Sequence, residues 1–143
     1  MCLIINKSIK PKKTNKDGFC IGWKVVSKDN ASPFKWIVKN NSHQYKLGNN
    51  IDKNYIQTNH EMITFGFHVC LSRKAAKDIL TYVFVIRKKY DGEKVIRVYY
   101  RPEDVIGYGI SNMYNGNWGL SKDSNPKAVA VRALTIKSLK GLK

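Results

Sequence analysis

Residues 82–100 constrain this chain more than any other stretch. Two runs, YVFVIR and KVIRVYY, are almost wholly β-branched or aromatic, and the dipeptide Asp91-Gly92 stands between them. Such side chains fit a pleated surface, and Asp-Gly takes up the turn that joins antiparallel strands. The pattern predicts a hairpin over residues 82–100, ended by Pro102. On the return strand Val95, Arg97 and Tyr99 share one face and Ile96, Val98 and Tyr100 the other, because side chains alternate along a strand.

Residues 19–27 (FCIGWKVVS), 34–38 (FKWIV), 62–65 and 128–136 (AVAVRALTI) read as further strands, with 44–47 a hairpin partner and 103–109 a short extended piece. One helix is predicted over residues 72–80, with Ser72 as its cap and Ala75, Ala76 and Lys77 as good helix formers. Residues 48–61 and 110–127 are rich in Asn, Gly or Ser and read as loops. Residues 7–17 (KSIKPKKTNKD) read as a mobile basic loop, and 137–143 as a loose basic tail. The expectation is an α+β fold in a single domain, residues 1–143, with a mainly antiparallel sheet and one short helix packed on it.

The 143 residues hold 16 aromatic side chains, enough for one core. No apolar run reaches the roughly 20 residues of a spanning helix. The segment MCLIINKSIKPKK lacks the basic-then-apolar order of a secretory leader, which implies a cytoplasmic protein. Cys2, Cys20 and Cys70 are too scattered for a disulfide framework, and with His43, His60 and His68 they show no zinc spacing. Neither a metal nor an organic cofactor is expected.

Charge narrows the partner. There are 26 Lys and Arg against 10 Asp and Glu, a net charge of +16. Lysine supplies 21 of the cations and asparagine occurs 13 times, a composition that AT-rich coding also produces. The scarcity of acids has no such origin. A field this positive attracts phosphate, whether on a nucleotide, a nucleic acid or a lipid.

A search for catalytic motifs yields no Gly-rich phosphate loop, nucleophile elbow or paired carboxylates. Glu103-Asp104 after Pro102 reads as a turn in which Asp104 caps local amides. The chain is read as a non-enzyme, with a cryptic nucleotide-processing activity as the third reading. Arginines stand out in a lysine-rich chain because their planar fork grips phosphate with two bonds. Arg97 and Arg132 lie within apolar strand patterns, where the side chain either crosses to solvent or points into a ligand cavity. His68, between Phe67 and Val69, is either a buried histidine bonded to backbone or a polar group lining a site. Tyr114 and Trp118 on the long loop suggest a lid, a base-stacking surface or a subunit contact in a homo-oligomer. The expected site is a basic pocket drawn from His68, Arg97, Tyr99, Arg101 and Arg132, overhung by Tyr114 and Trp118.

Five segments occur in order: Gly66-Phe67-His68-Val69, Ala75-Ala76, Val95-Ile96-Arg97-Val98, Arg101-Pro102-Glu103-Asp104-Val105-Ile106, and residues 127–136. The series resembles a domain of small tailed-phage proteins related to the C-terminal part of the T-even rapid-lysis-inhibition protein B, over residues 62–136. The chain departs from it at Phe65, where the family has Cys, around Gly107-Tyr108-Gly109, and in the longer loop that carries Trp118. The resemblance implies a phage origin and action in the cytoplasm of an infected bacterial host, and it transfers no catalytic residue. The functional expectation is a counter-defence protein that binds and sequesters a phosphate-bearing nucleotide immune signal, either a cyclic oligonucleotide or an ADP-ribose derivative. The alternative is a nucleic-acid-binding inhibitor, such as an anti-CRISPR protein contacting guide RNA.

Overall fold

A computed structural model describes residues 3–31, 43–52, 62–63, 66–88, 91–111 and 126–142. The fold is α+β, a mainly antiparallel sheet with one helix packed on it. Strand β2 (Cys20–Val26) forms at the expected place. Its partner is β6 (Lys94–Tyr100), and the two pair in antiparallel register from Cys20↔Tyr100 to Val26↔Lys94. The return strand of the expected hairpin therefore exists, but its neighbour comes from the other half of the chain.

Residues 82–87 are not a strand. They complete α1 (Arg73–Arg87), a helix of 15 residues. Ser72 Oγ accepts from the Ala75 amide at 3.0 Å, as expected of the cap, and Lys88 closes the other end with φ of 60°. Helix propensity alone disfavours a β-branched run, by no more than about 0.7 kcal/mol per residue. Burial outweighs it. Ala75, Ala76, Ile79 and Val83 recur at helical spacing and pack on Val25, Cys70 and Val95, and one buried valine is worth about 1.5–3 kcal/mol. Asp91-Gly92, with Gly92 at φ 79°, lies between the helix and β6. We expect Ser72→Ala to lower stability by about 1 kcal/mol in urea unfolding, with Ser72→Asp close to wild type.

Two other expectations change. The segment read as loop from residue 48 begins with β3 (Gly48–Ile51). Its asparagines mislead because Asn50 is buried and spends its amide locally. Its Nδ2 donates to Lys46 O and Gly48 O, and its Oδ1 accepts from the Lys46 amide. The run 128–136 is two strands, β8 (Lys127–Val131) and β9 (Ala133–Ile136), separated only by Arg132. The expected strand 34–38 lies outside the described residues. Of 44–47, only Gln44 makes a strand-like bridge, to Ala31.

The remaining strands are β1 (Leu3–Ile5), β4 (Met62–Ile63), β5 (Phe67–Cys70) and β7 (Val105–Ser111). The sheet order is β3-β9-β6-β2-β5-β8-β7-β1-β4. Strands β8 and β9 are one residue apart in the chain, yet β6, β2 and β5 lie between them in the sheet. The sheet must curl until the strand bent at Arg132 closes it. The enclosed interior is filled by Phe67, Val69, Ile96, Val98, Leu134 and Ile136, with Tyr100 at its wall. Gly22 lets β5 approach closely, since a Cβ there would stand 2.2 Å from Val69 Cγ1. Among the described residues no helix is long and apolar enough to cross a membrane.

Candidate functional site

Helix α1 covers only one end of the outer face of β2 and β6. On that face Ile21, Trp23 and Val25 stand opposite Tyr99, Arg97 and Val95. Val25 and Val95 are buried beneath the helix. Towards the other end Arg97 is exposed, and Tyr99 and Ile21 are half-buried. The face continues sideways: β9 sets Thr135 beside Tyr99, and β3 sets Asn49 beside Thr135.

Residues flanking the strands finish this face. Phe19, just before β2, meets Tyr99 edge to face with ring centroids 6.3 Å apart. The Arg101 guanidinium, just past β6, lies 4.4 Å from the Phe19 ring centroid. Lys137, just past β9, holds its Nζ 4.3 Å from the Tyr99 ring, and Lys12 from the basic loop lies 5.1 Å from the Trp23 ring. Each exposed cation–ring pair contributes only about 0.5–1 kcal/mol, so each can be exchanged for a ligand.

An open groove of about 510 Å³ runs along this side. It is lined by Phe19, Asn49, Ile51, Arg101, Asp104, Arg132, Ala133 and Thr135. Arg132 sits there because the bend between β8 and β9 is tied to a short 3₁₀ turn, Pro102–Asp104. Its amide donates to Asp104 O at 2.9 Å, its Nε to Asp104 Oδ1 at 3.2 Å, and its Nη2 to Glu103 O at 3.2 Å. The turn is as expected, but the Asp104 carboxylate pairs with Arg132, where sequence reasoning had it capping amides.

Of the expected site residues, Arg97, Tyr99, Arg101 and Arg132 come to this side of the molecule, and Arg101 and Arg132 line the groove itself. His68 does not line it. It lies on β5, which β2 separates from β6. Tyr114 and Trp118 lie outside the described residues. Sequence reasoning passed over Phe19, Trp23, Lys12 and Lys137. The first two were legible, since alternation along FCIGWKVVS puts Phe19, Ile21 and Trp23 on one face.

Lys24 points the other way. Its Nζ donates to His68 O at 2.8 Å and lies 5.2 Å from the Tyr45 ring. Burial lowers its pKa from 10.5 to about 8, partly offset by nearby Cys70. Between those values the folded chain binds fewer protons than the unfolded one, so this group makes stability rise with pH from about 8 to 10.5. Burial pushes the Cys70 thiol up to about 12, which acts in the opposite sense above pH 9. The Lys24 contribution is therefore read as a difference: unfolding of Lys24→Met should gain less stability across that window than wild type.

No family model, curated protein or solved structure matches this chain.

Proposed function

We propose that this protein binds a phosphate-bearing nucleotide in the groove at the β6–β9 edge and holds it as a sponge. The resemblance to small phage proteins makes the ligand a nucleotide immune signal of the infected host, and the protein a counter-defence factor. One observation carries the reading: Arg101 and Arg132 line the same groove as Phe19, whose ring lies 4.4 Å from the Arg101 guanidinium. Guanidinium forks hold phosphate oxygens, and a ring face takes a base. The direct test is to purify the protein from infected, defence-carrying cells, denature it and identify the released small molecule by mass spectrometry. Recovery of a nucleotide in near-stoichiometric amount is expected, and its absence together with failure of added nucleotides to bind would end the reading.

A second reading, a nucleic-acid-binding inhibitor such as one contacting guide RNA, draws on a separate feature. The basic and aromatic face continues past the groove to Arg97, Trp23 and Lys12. Salt separates the two. Polymer binding releases many counterions and weakens steeply as salt rises, whereas a small ligand with few phosphates releases few and responds less.

A further inference from the structure

Beyond the groove the outer face of β2 and β6 carries a second ring, Trp23, which packs in part against the helix-covered cluster and keeps part of its surface exposed. Trp23 stands directly across from Arg97, and Tyr99 lies two residues further along the same face. Trp23 and Tyr99 are thus diagonal neighbours on paired strands, an arrangement that spaces residues about 7–8 Å apart. Arg97 borders both, across from Trp23 and two residues before Tyr99, and is exposed with no carboxylate partner among the described residues. Past Tyr99 and its neighbour Phe19 comes Arg101. Ring, guanidinium, ring and guanidinium follow one another across one surface.

That order matches base, phosphate, base, phosphate. A stacked strand advances about 3.4 Å per nucleotide, so a chain drawn out to about twice that sets successive bases at the spacing of the two platforms. Resting on the groove reading above, we infer that the ligand carries at least two unpaired bases joined by a phosphodiester. One base stacks at Phe19 and Tyr99, the next at Trp23, and the linking phosphate meets Arg97. The unbound protein caps both platforms with its own cations, Lys137 over Tyr99 and Lys12 over Trp23. A base that takes the place of either ammonium leaves it on a flexible stem, beside the phosphates of the same ligand. Stacking of this kind is tolerant of base identity, because every base has a ring face. A cyclic dinucleotide and a run of single-stranded RNA present the same two-base unit.

Calorimetry on the full chain with AMP, linear pApA, cyclic di-AMP and a dodecameric oligouridylate tests this. Linear pApA should bind at least about fivefold more tightly than AMP, the lower end of what stacking one further base contributes. Arg97→Gln, a change at an exposed position, should bring pApA to within about twofold of AMP and leave AMP itself unchanged, while Arg101→Ala weakens both. Trp23→Ala should act like Arg97→Gln, with near-ultraviolet circular dichroism confirming its fold. Tighter binding of cyclic di-AMP than of the oligouridylate names a cyclic dinucleotide as the source; the reverse names single-stranded RNA if Arg97→Gln abolishes it, and overturns the inference if it survives Arg97→Gln, which is diffuse polyanion binding. Equal binding of AMP and pApA, or a pApA preference that survives Arg97→Gln, overturns the inference and leaves the groove reading standing. If none of the four probes binds, the two-base inference falls, and the groove reading falls with it only where no nucleotide is recovered from infected cells either.

Discussion

Replacing Leu134 with alanine is expected to lower the free energy of unfolding by about 2–5 kcal/mol, the cost of deleting a buried leucine and leaving a cavity. Leu134 is 1% exposed, and it belongs to the half of the bent strand that closes the sheet. It stands on β9 opposite Asn50 and faces the same interior as Val129 and Val131 from β8. Residues from β2, β5, β6, β8 and β9 pack around that interior, so the walls have little freedom to collapse into the space. Leu134→Met, which keeps the volume, should cost less than about 1.5 kcal/mol. Ile51, on the neighbouring strand but 54% exposed, should tolerate alanine to within about 0.5 kcal/mol. Equilibrium urea unfolding with unchanged slope measures all three. A Leu134→Ala loss below about 1 kcal/mol would mean that the sheet is not closed around this residue.

The parts of the fold legible in the sequence are those where local pattern and tertiary demand agree. Residues 20–26 and 94–100 alternate, are β-branched, and form strands. Ser72 caps a helix because its hydroxyl reaches a free amide whatever lies beyond. The rest was hidden by competition between levels. Residues 82–87 have the side chains of a strand, yet Val83 is needed one turn on from Ile79, a relation that only the packed partner reveals. The run 128–136 is apolar apart from Arg132 and Thr135 and reads as one strand, so nothing local shows that it changes neighbours at Arg132. Asn50 has the composition of a loop and is one of two buried polar residues among those described. The site followed the same rule. Arg97 and Tyr99 shared a face by simple alternation, whereas Arg132 joins Arg101 through tertiary contacts, the hydrogen bonds that tie it to the turn after Arg101 and the pairing of β9 with β6.

Arg101→Ala is expected to weaken nucleotide binding by about 1.5–3 kcal/mol, roughly 10- to 150-fold, the range for a hydrogen bond to a charged group. The two groove arginines are not equivalent. Arg132 already spends two of its five donors, one on the Asp104 carboxylate and one on the Glu103 carbonyl. Arg101 is held only by the Phe19 ring, with no carboxylate partner among the described residues, so its fork remains available for a phosphate. Arg132→Ala should therefore cost less affinity than Arg101→Ala and more stability, because it also unties the bend from the turn. Asp104→Asn should tighten binding by removing the one carboxylate that lines the groove among the described residues. Arg101→Lys should recover only part of the loss, since the ammonium keeps the charge without the planar fork or the stack on Phe19. Lys77→Ala, on the exposed side of α1, removes the same unit of charge far from the groove and should leave affinity unchanged. Calorimetry at one fixed salt concentration compares them. Equal losses for Lys77→Ala and Arg101→Ala would assign the binding to the net field of the chain and not to this groove.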